Sequence, residues 1–151
     1  MLVTREFYFD STHHLTKYYG KCERVHGHTY KLEVTLSGKV HENGMLIDFT
    51  ILKRLVNKHV LEKLDHYDLN EFFENPTAEN IIVWIWDQLK DLKSKLMEEL
   101  NDPNLSEELK KYLNAGDTAH IEGNEFDNEL KLHELKLWEG EGKFITYRGE
   151  S

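Results

Sequence analysis

Apolar and polar positions alternate with period two in two stretches near the N-terminus, and both stretches meet histidines. Val3 to Thr12 is rich in Phe and Tyr, with Phe7, Phe9, Ser11 and then His13 on one face, as expected of a strand that sends successive side chains to opposite sides. Leu15 to Lys21 reads as a loop. From His26 onward, His28, Tyr30, Leu32, Val34 and Leu36 share one face while Thr29, Lys31, Glu33 and Thr35 share the other, the pattern of a half-buried strand. The histidine end of each strand therefore continues its inward face.

The period then lengthens. Asn43-Gly44 marks a turn, and Asp48 is placed to cap a helix running to about Leu64, with Leu52, Leu55, Val56 and Val60 as its apolar stripe. A second helix starts at Pro76-Thr77 and runs to about Leu100, carrying Ile81, Ile85, Leu89, Leu92 and Leu96 at three- and four-residue spacings until Asn101-Asp102-Pro103 ends it. A short helix near Ser106 to Leu113 and an acidic excursion over Asn114 to Asn128 follow. Strands at about Glu129 to Glu139 and Lys143 to Arg148, joined by Gly140-Glu141-Gly142, form a closing hairpin. Hairpins flanking a helical pair predict an α+β layer structure, an antiparallel sheet with helices on one face.

At 151 residues, 39% hydrophobic and 11% aromatic, with two prolines and no repeat, the chain reads as a single domain over 1–151 with its own core. Its longest apolar run, Ile81 to Ile85, is too short to span a bilayer, and Met1 to Arg5 lacks the apolar run of a signal peptide. A soluble, cytoplasmic protein without a membrane partner is expected. The net charge of −9 disfavours a nucleic-acid partner. Residues 1–40, however, carry a net +2 against −11 for the rest, so the histidine-bearing segment is the basic part of the chain, which reads equally as ordinary scatter of surface charge or as a field that attracts a small anionic substrate.

His26 and His28 leave the same face of one strand, and His13 ends the inward face of the other. Three imidazoles with one open position have the stoichiometry of a catalytic zinc site. His14 points away from His13 and is set aside, and His41, His59, His120 and His133 are isolated. Cys22, the sole cysteine, reads equally as a small buried hydrophobe or as a thiolate base near a cation. Asp65-His66, at the end of the first helix, is either a histidine favoured by the helix dipole or an acid-base group steered by a carboxylate. Glu139 shares a face with Leu135 and Leu137 and reads as a carboxylate at the mouth of the cavity or as a solvated strand end.

The blocks Phe9-Asp10-Ser11-Thr12-His13-His14-Leu15, Cys22-x-x-x-His26-Gly27-His28-x-Tyr30, Gly44-Met45-Leu46-Ile47-Asp48-Phe49 with Leu52-Lys53, Leu64-Asp65-His66-x-x-Leu69-Asn70, Pro76-Thr77-Ala78-Glu79-Asn80 and Trp138-Glu139 closely resemble the 6-pyruvoyltetrahydropterin and 6-carboxytetrahydropterin synthase family. The Cys-x-x-x-His-Gly-His spacing is most similar to the carboxytetrahydropterin branch that serves queuosine and other deazapurine synthesis. The resemblance implies the tunnelling fold, with a four-stranded antiparallel sheet and two main helices per subunit assembled through trimers into a homohexamer. It also implies zinc held by His13, His26 and His28, a proton-abstracting Cys22, an Asp65-His66 relay, and Glu139 anchoring a pterin ring and grouped with the relay. Thr77 and Glu79 are implied as further pterin-pocket residues from a neighbouring subunit.

The implied reaction converts 7,8-dihydroneopterin triphosphate to 6-carboxytetrahydropterin with loss of triphosphate and acetaldehyde. The 6-pyruvoyltetrahydropterin synthase reaction on the same substrate is the nearest rival, and a non-catalytic pterin binder or a structural zinc protein are the others. His14 stands where the family often has arginine, so Lys17, Lys21 or Arg24 is expected to meet the triphosphate. Residues 92–128 form an extended insertion, helical in part.

Overall fold

The computed structural model describes residues 1–17, 24–42, 44–100, 102–104 and 129–150. Strand β1 (Leu2–His13) and β2 (His26–Ser37) are each twelve residues long. They pair antiparallel from Leu2↔Ser37 to His13↔His26. Along β1, Phe7, Phe9, Ser11 and His13 are buried and the residues between them exposed, as the period-two pattern requires. The Phe9 and Tyr30 rings stack across the pair at 4.8 Å, one of the cross-strand contacts that fix the register. The closing hairpin is β4 (Lys131–Glu139) and β5 (Phe144–Tyr147), with β4 lying antiparallel to β2. Gly140 and Gly142 take φ of +72° and +78° between them, a backbone region that glycine enters without penalty.

Here the sheet departs from the expected four antiparallel strands. A two-residue strand, β3 (Tyr67–Asp68), pairs parallel to β1 and gives a five-stranded mixed sheet in the order β3-β1-β2-β4-β5. Two residues carry no hydrophobic period, so β3 has no signature in the sequence. The α+β class stands.

The helices also differ in their continuity. Asp48 caps α1 (Phe49–Val56) by accepting the Thr50 N–H at 2.7 Å. The helix then widens into a π-helical stretch, Asn57–Leu61, before ending as α2 (Glu62–Leu64). Thr77 caps α3 (Ala78–Leu89), and the chain breaks there and restarts as α4 (Leu92–Leu100) where one helix to Leu100 is expected. The break is Asp91, whose carboxylate accepts the Ser94 N–H at 3.4 Å and whose carbonyl accepts the Lys95 N–H at 3.1 Å. An acidic residue that caps a new helix ends the old one. Ile81, Ile85, Leu89, Leu92 and Leu96 are all buried nonetheless, since the two helices present their stripes to one core.

That core joins Phe7, Phe9, Tyr30, Leu32, Val34 and Leu36 of the sheet to Leu52, Leu55, Val56, Leu64, Ile81 and Ile85 of the helices. Helices thus cover the face that ends in histidines. Ser106 to Leu113 and the Asn114 to Asn128 excursion lie outside the described residues, whereas α4 gives the N-terminal part of the 92–128 insertion a helix.

Candidate metal centre and adjoining pockets

Three strand ends converge on one corner of the covered face. His13 closes β1, His26 opens β2 directly opposite it, and His28 follows two residues on, facing the same way. Glu139 ends β4 opposite Tyr30, which brings its carboxylate next to His28. One donor atom from each of His13, His26, His28 and Glu139 lies within 4.8 Å of all the others.

The protonation states follow from the neighbours. Nδ1 of His13 lies 2.8 Å from the Pro76 carbonyl and Nδ1 of His26 lies 2.7 Å from the Arg24 carbonyl. A carbonyl only accepts, so each Nδ1 carries a proton, and in the neutral ring each Nε2 then keeps its electron pair. Those two Nε2 atoms are 3.0 Å apart, two lone pairs at a separation that calls for a cation between them. Burial pushes the His13 and His28 imidazoles below their ordinary values, against the opposing pull of Glu139 on both. Neutral imidazoles are the form in which histidine binds metal. The residues fit a first-row divalent cation of the kind that imidazole binds.

Glu139 is closer than a cavity-mouth residue. Its Oε1 is 3.1 Å from His28 Nε2 and 3.9 Å from His13 Nε2, close enough to stand as a fourth donor beside the three imidazoles. Tyr30, fully buried, sets its hydroxyl 3.3 Å from His13 Nδ1. Pattern reading gave Tyr30 only a place on the inward face, yet its position two residues beyond His28 is the signal that puts it beneath the histidines.

Asp65 and His66 sit across the sheet edge. His66 Nδ1 is 3.0 Å from Asp65 Oδ1, and that oxygen also accepts the Asp10 N–H at 2.9 Å. The His66 N–H donates to the Asp10 carbonyl at 2.6 Å, holding His66 at φ +63°, a left-handed conformation that costs a non-glycine residue on the order of 1 kcal/mol or more. Asp10, missed in the sequence, joins this group, and Thr29 Oγ1 donates to its carboxylate at 2.6 Å. A cavity of about 480 Å³ holds Asp10, Thr29, His66 and His28 on its wall, so His66 and one candidate metal ligand open into the same space.

A second cavity, about 230 Å³, is lined by Leu15, Thr77, Glu79, Leu137, Glu139 and Lys143. Thr77, Glu79 and Glu139 thus come together within one chain, where Thr77 and Glu79 are expected to reach across from a neighbour. Lys143, at the end of the β4–β5 turn, is a cation that the sequence did not single out. Of the expected triphosphate contacts, Lys17 and Arg24 are exposed. Lys21 and Cys22 lie outside the described residues. His14 is bound to Asn70, through its N–H at 2.9 Å and its ring at 3.3 Å, away from the cluster as expected.

Comparison with known proteins meets this geometry. The family model for 6-pyruvoyl tetrahydropterin synthase matches residues 2–150. A protein of Archaeoglobus fulgidus is 55% identical over 71 residues, 47% of this chain and 61% of that protein. The 6-carboxy-5,6,7,8-tetrahydropterin synthase of Haemophilus influenzae is 31% identical over 155 residues, 97% of both chains. The structure of Caenorhabditis elegans 6-pyruvoyl tetrahydropterin synthase superposes with a TM-score of 0.68 at 25% identity, covering 99% of this chain and 96% of that one. The chain belongs to the 6-pyruvoyl tetrahydropterin synthase family of pterin lyases. No helix among the described residues is long and apolar enough to cross a membrane.

Proposed function

We propose that the chain is a zinc-dependent 6-carboxytetrahydropterin synthase that takes 7,8-dihydroneopterin triphosphate and one water to 6-carboxytetrahydropterin, triphosphate and acetaldehyde, and so supplies queuosine or related deazapurine synthesis. The observation that carries the metal-dependent part is the pair of Nε2 lone pairs at 3.0 Å, each fixed by a backbone carbonyl behind it. The Cys-x-x-x-His-Gly-His spacing favours the carboxy product, since full-length likeness at 31% identity is shared by relatives named for either product. Its rival, the pyruvoyl product, keeps the same site and rests on the family model and the Caenorhabditis elegans structure.

Zinc held by His13, His26 and His28 would withdraw charge from the substrate side chain and acidify its carbon and hydroxyl protons. Cys22, four residues before His26 in the chain, is assigned the removal of one such proton as the thiolate. His66, whose Nδ1 lies 3.0 Å from Asp65 Oδ1, lines the cavity it shares with His28 and is assigned the return of a proton on the other side of the substrate. Glu139 suits the ring, because a 2-amino-4-oxo edge offers two parallel N–H groups to one carboxylate. Thr77 and Glu79 share that cavity wall, and Lys143 joins Lys17 and Arg24 as a cation for the anionic end of the substrate. Cytoplasmic, trimer-based assembly, up to a hexamer, belongs to the same proposal.

The test is incubation of zinc-loaded protein with dihydroneopterin triphosphate and mass spectrometry of the products. Acetaldehyde with 6-carboxytetrahydropterin is the expected result. A pyruvoyl product moves the chain to the rival reaction, and substrate recovered intact overturns catalysis on this compound.

A further inference from the structure

We propose that Glu139 serves two partners in turn: it is the fourth ligand of the metal centre while no pterin ring is bound, and the ring draws it away, opening the coordination position that the substrate side chain needs. The inference rests on the metal-dependent reading above and concerns the order in which one carboxylate is used.

Oε1 of Glu139 stands 3.1 Å from His28 Nε2 and 3.9 Å from His13 Nε2. Despite that approach, His28 Nε2 is buried and finds no hydrogen-bond partner. Two polar atoms this close and yet not hydrogen-bonded to each other fit a shared third partner, as ligands of one cation do. With His13 and His26 already offering lone pairs, the four donors form the closed set of a four-coordinate site. The β2–β4 register produces this arrangement, since Tyr30↔Glu139 is the pairing next along the strands from His28.

The same side chain lines the cavity of Thr77, Glu79 and Lys143. A carboxylate accepting two parallel N–H bonds from a 2-amino-4-oxo ring needs both oxygens in one plane, facing the ring. Oε1 cannot do this while it stays among the imidazoles. The two uses of Glu139 therefore exclude each other, and ring binding is coupled to ligand release at the metal. Such an exchange keeps the cation shielded from adventitious ligands until the correct ring has arrived.

The experiment strips the protein of metal and titrates it with Co²⁺ alone, comparing visible absorption and affinity for wild type, Glu139→Gln and Glu139→Asp. Then 7,8-dihydroneopterin, which has the ring but no phosphate, is added to the Co²⁺-loaded wild type. The wild type is expected to show an intense four-coordinate band, and Glu139→Gln to bind Co²⁺ at least about 10-fold more weakly. Dihydroneopterin should change the wild-type band in step with its own binding. Variants with the wild-type band and affinity overturn the inference while leaving the metal reading intact, as does a wild-type band indifferent to saturating dihydroneopterin. A wild type that takes up no Co²⁺ removes the metal reading itself. The ring titration uses the unaltered chain, so it decides the exchange even where a variant fails to fold.

Discussion

A neutral imidazole has one proton and one electron pair to place, and whatever touches one nitrogen decides the role of the other. For His13 and His26 the decision is made by main-chain carbonyls of Pro76 and Arg24, neither of which a side-chain motif records. The candidate ligands were legible: period two put His13, His26 and His28 on one inward face, and the strand register brings them together. Glu139 was legible as to face but not as to depth, because its distance from His28 depends on a register between strands about a hundred residues apart in sequence. Asp10 was invisible for a similar reason, since it reaches Asp65 and His66 through its backbone. At this scale the roles separate cleanly by substitution. His26→Ala should lose bound zinc, as measured by metal analysis after gel filtration. Cys22→Ala should retain zinc and lower kcat by at least about 100-fold, the contribution of a positioned base; loss of zinc with Cys22 would make the thiol a ligand.

Elements record a second layer of physics, in which local chemistry overrode an unbroken hydrophobic period. The stripe through Ile85, Leu89, Leu92 and Leu96 predicts one helix, and Asp91 makes it two. The resulting α4 places Glu99, fully buried, against Arg54 and Lys58 of α1 and the π-helical stretch, with Asp102 3.0 Å from Arg54 Nη2. Removing either partner has unequal cost. In Glu99→Gln the two cations are left with access to water, and the loss should be about 1–3 kcal/mol. Arg54→Ala leaves a buried carboxylate with Lys58 alone, and the loss should be nearer about 3–5 kcal/mol. Urea denaturation at fixed m-value orders the two, and equal costs would mean that Glu99 is solvated.

The same stretch carries His59, buried and pushed below its ordinary value by that burial and by Lys95, Lys58 and Lys63, with Glu98 opposing them. Because the folded-state value lies below the unfolded one, the unfolded chain takes the proton first. Stability is therefore complete above about pH 6.5 and is lost as pH falls through the lower folded-state value. In metal-free protein His13 and His28 act in the same direction. His59→Gln should flatten part of the decline of unfolding free energy below pH 6.5, and an unchanged slope would place the effect wholly at the strand ends.

For the whole molecule, the informative surface is the sheet face that the helices leave uncovered among the described residues. The sheet ends on β3 at one side and on β5 at the other, and its open face carries Tyr8, Lys31, Trp138 and Phe144. Lys31 Nζ lies 4.4 Å over the Trp138 ring and 3.2 Å from Glu6, and Trp138 stacks on Phe144 at 4.6 Å. Phe144 remains about half exposed on an edge strand. Free edges with exposed aromatics invite pairing with another chain, and closure into a ring is the arrangement that removes them. In the proposed trimer-based assembly, β5 of one copy would join the sheet of the next. In an isolated chain, replacing a half-exposed Phe144 changes stability little, within about 0.5 kcal/mol; in a ring it puts charge at every junction. Sedimentation should therefore give the wild type the mass of three or six chains. Phe144→Lys should sediment as a smaller species with the wild-type circular dichroism spectrum and urea midpoint of the monomeric fold. A wild type that stays at 17.9 kDa across all concentrations removes the assembly, and with it any role for a neighbouring copy in completing the site.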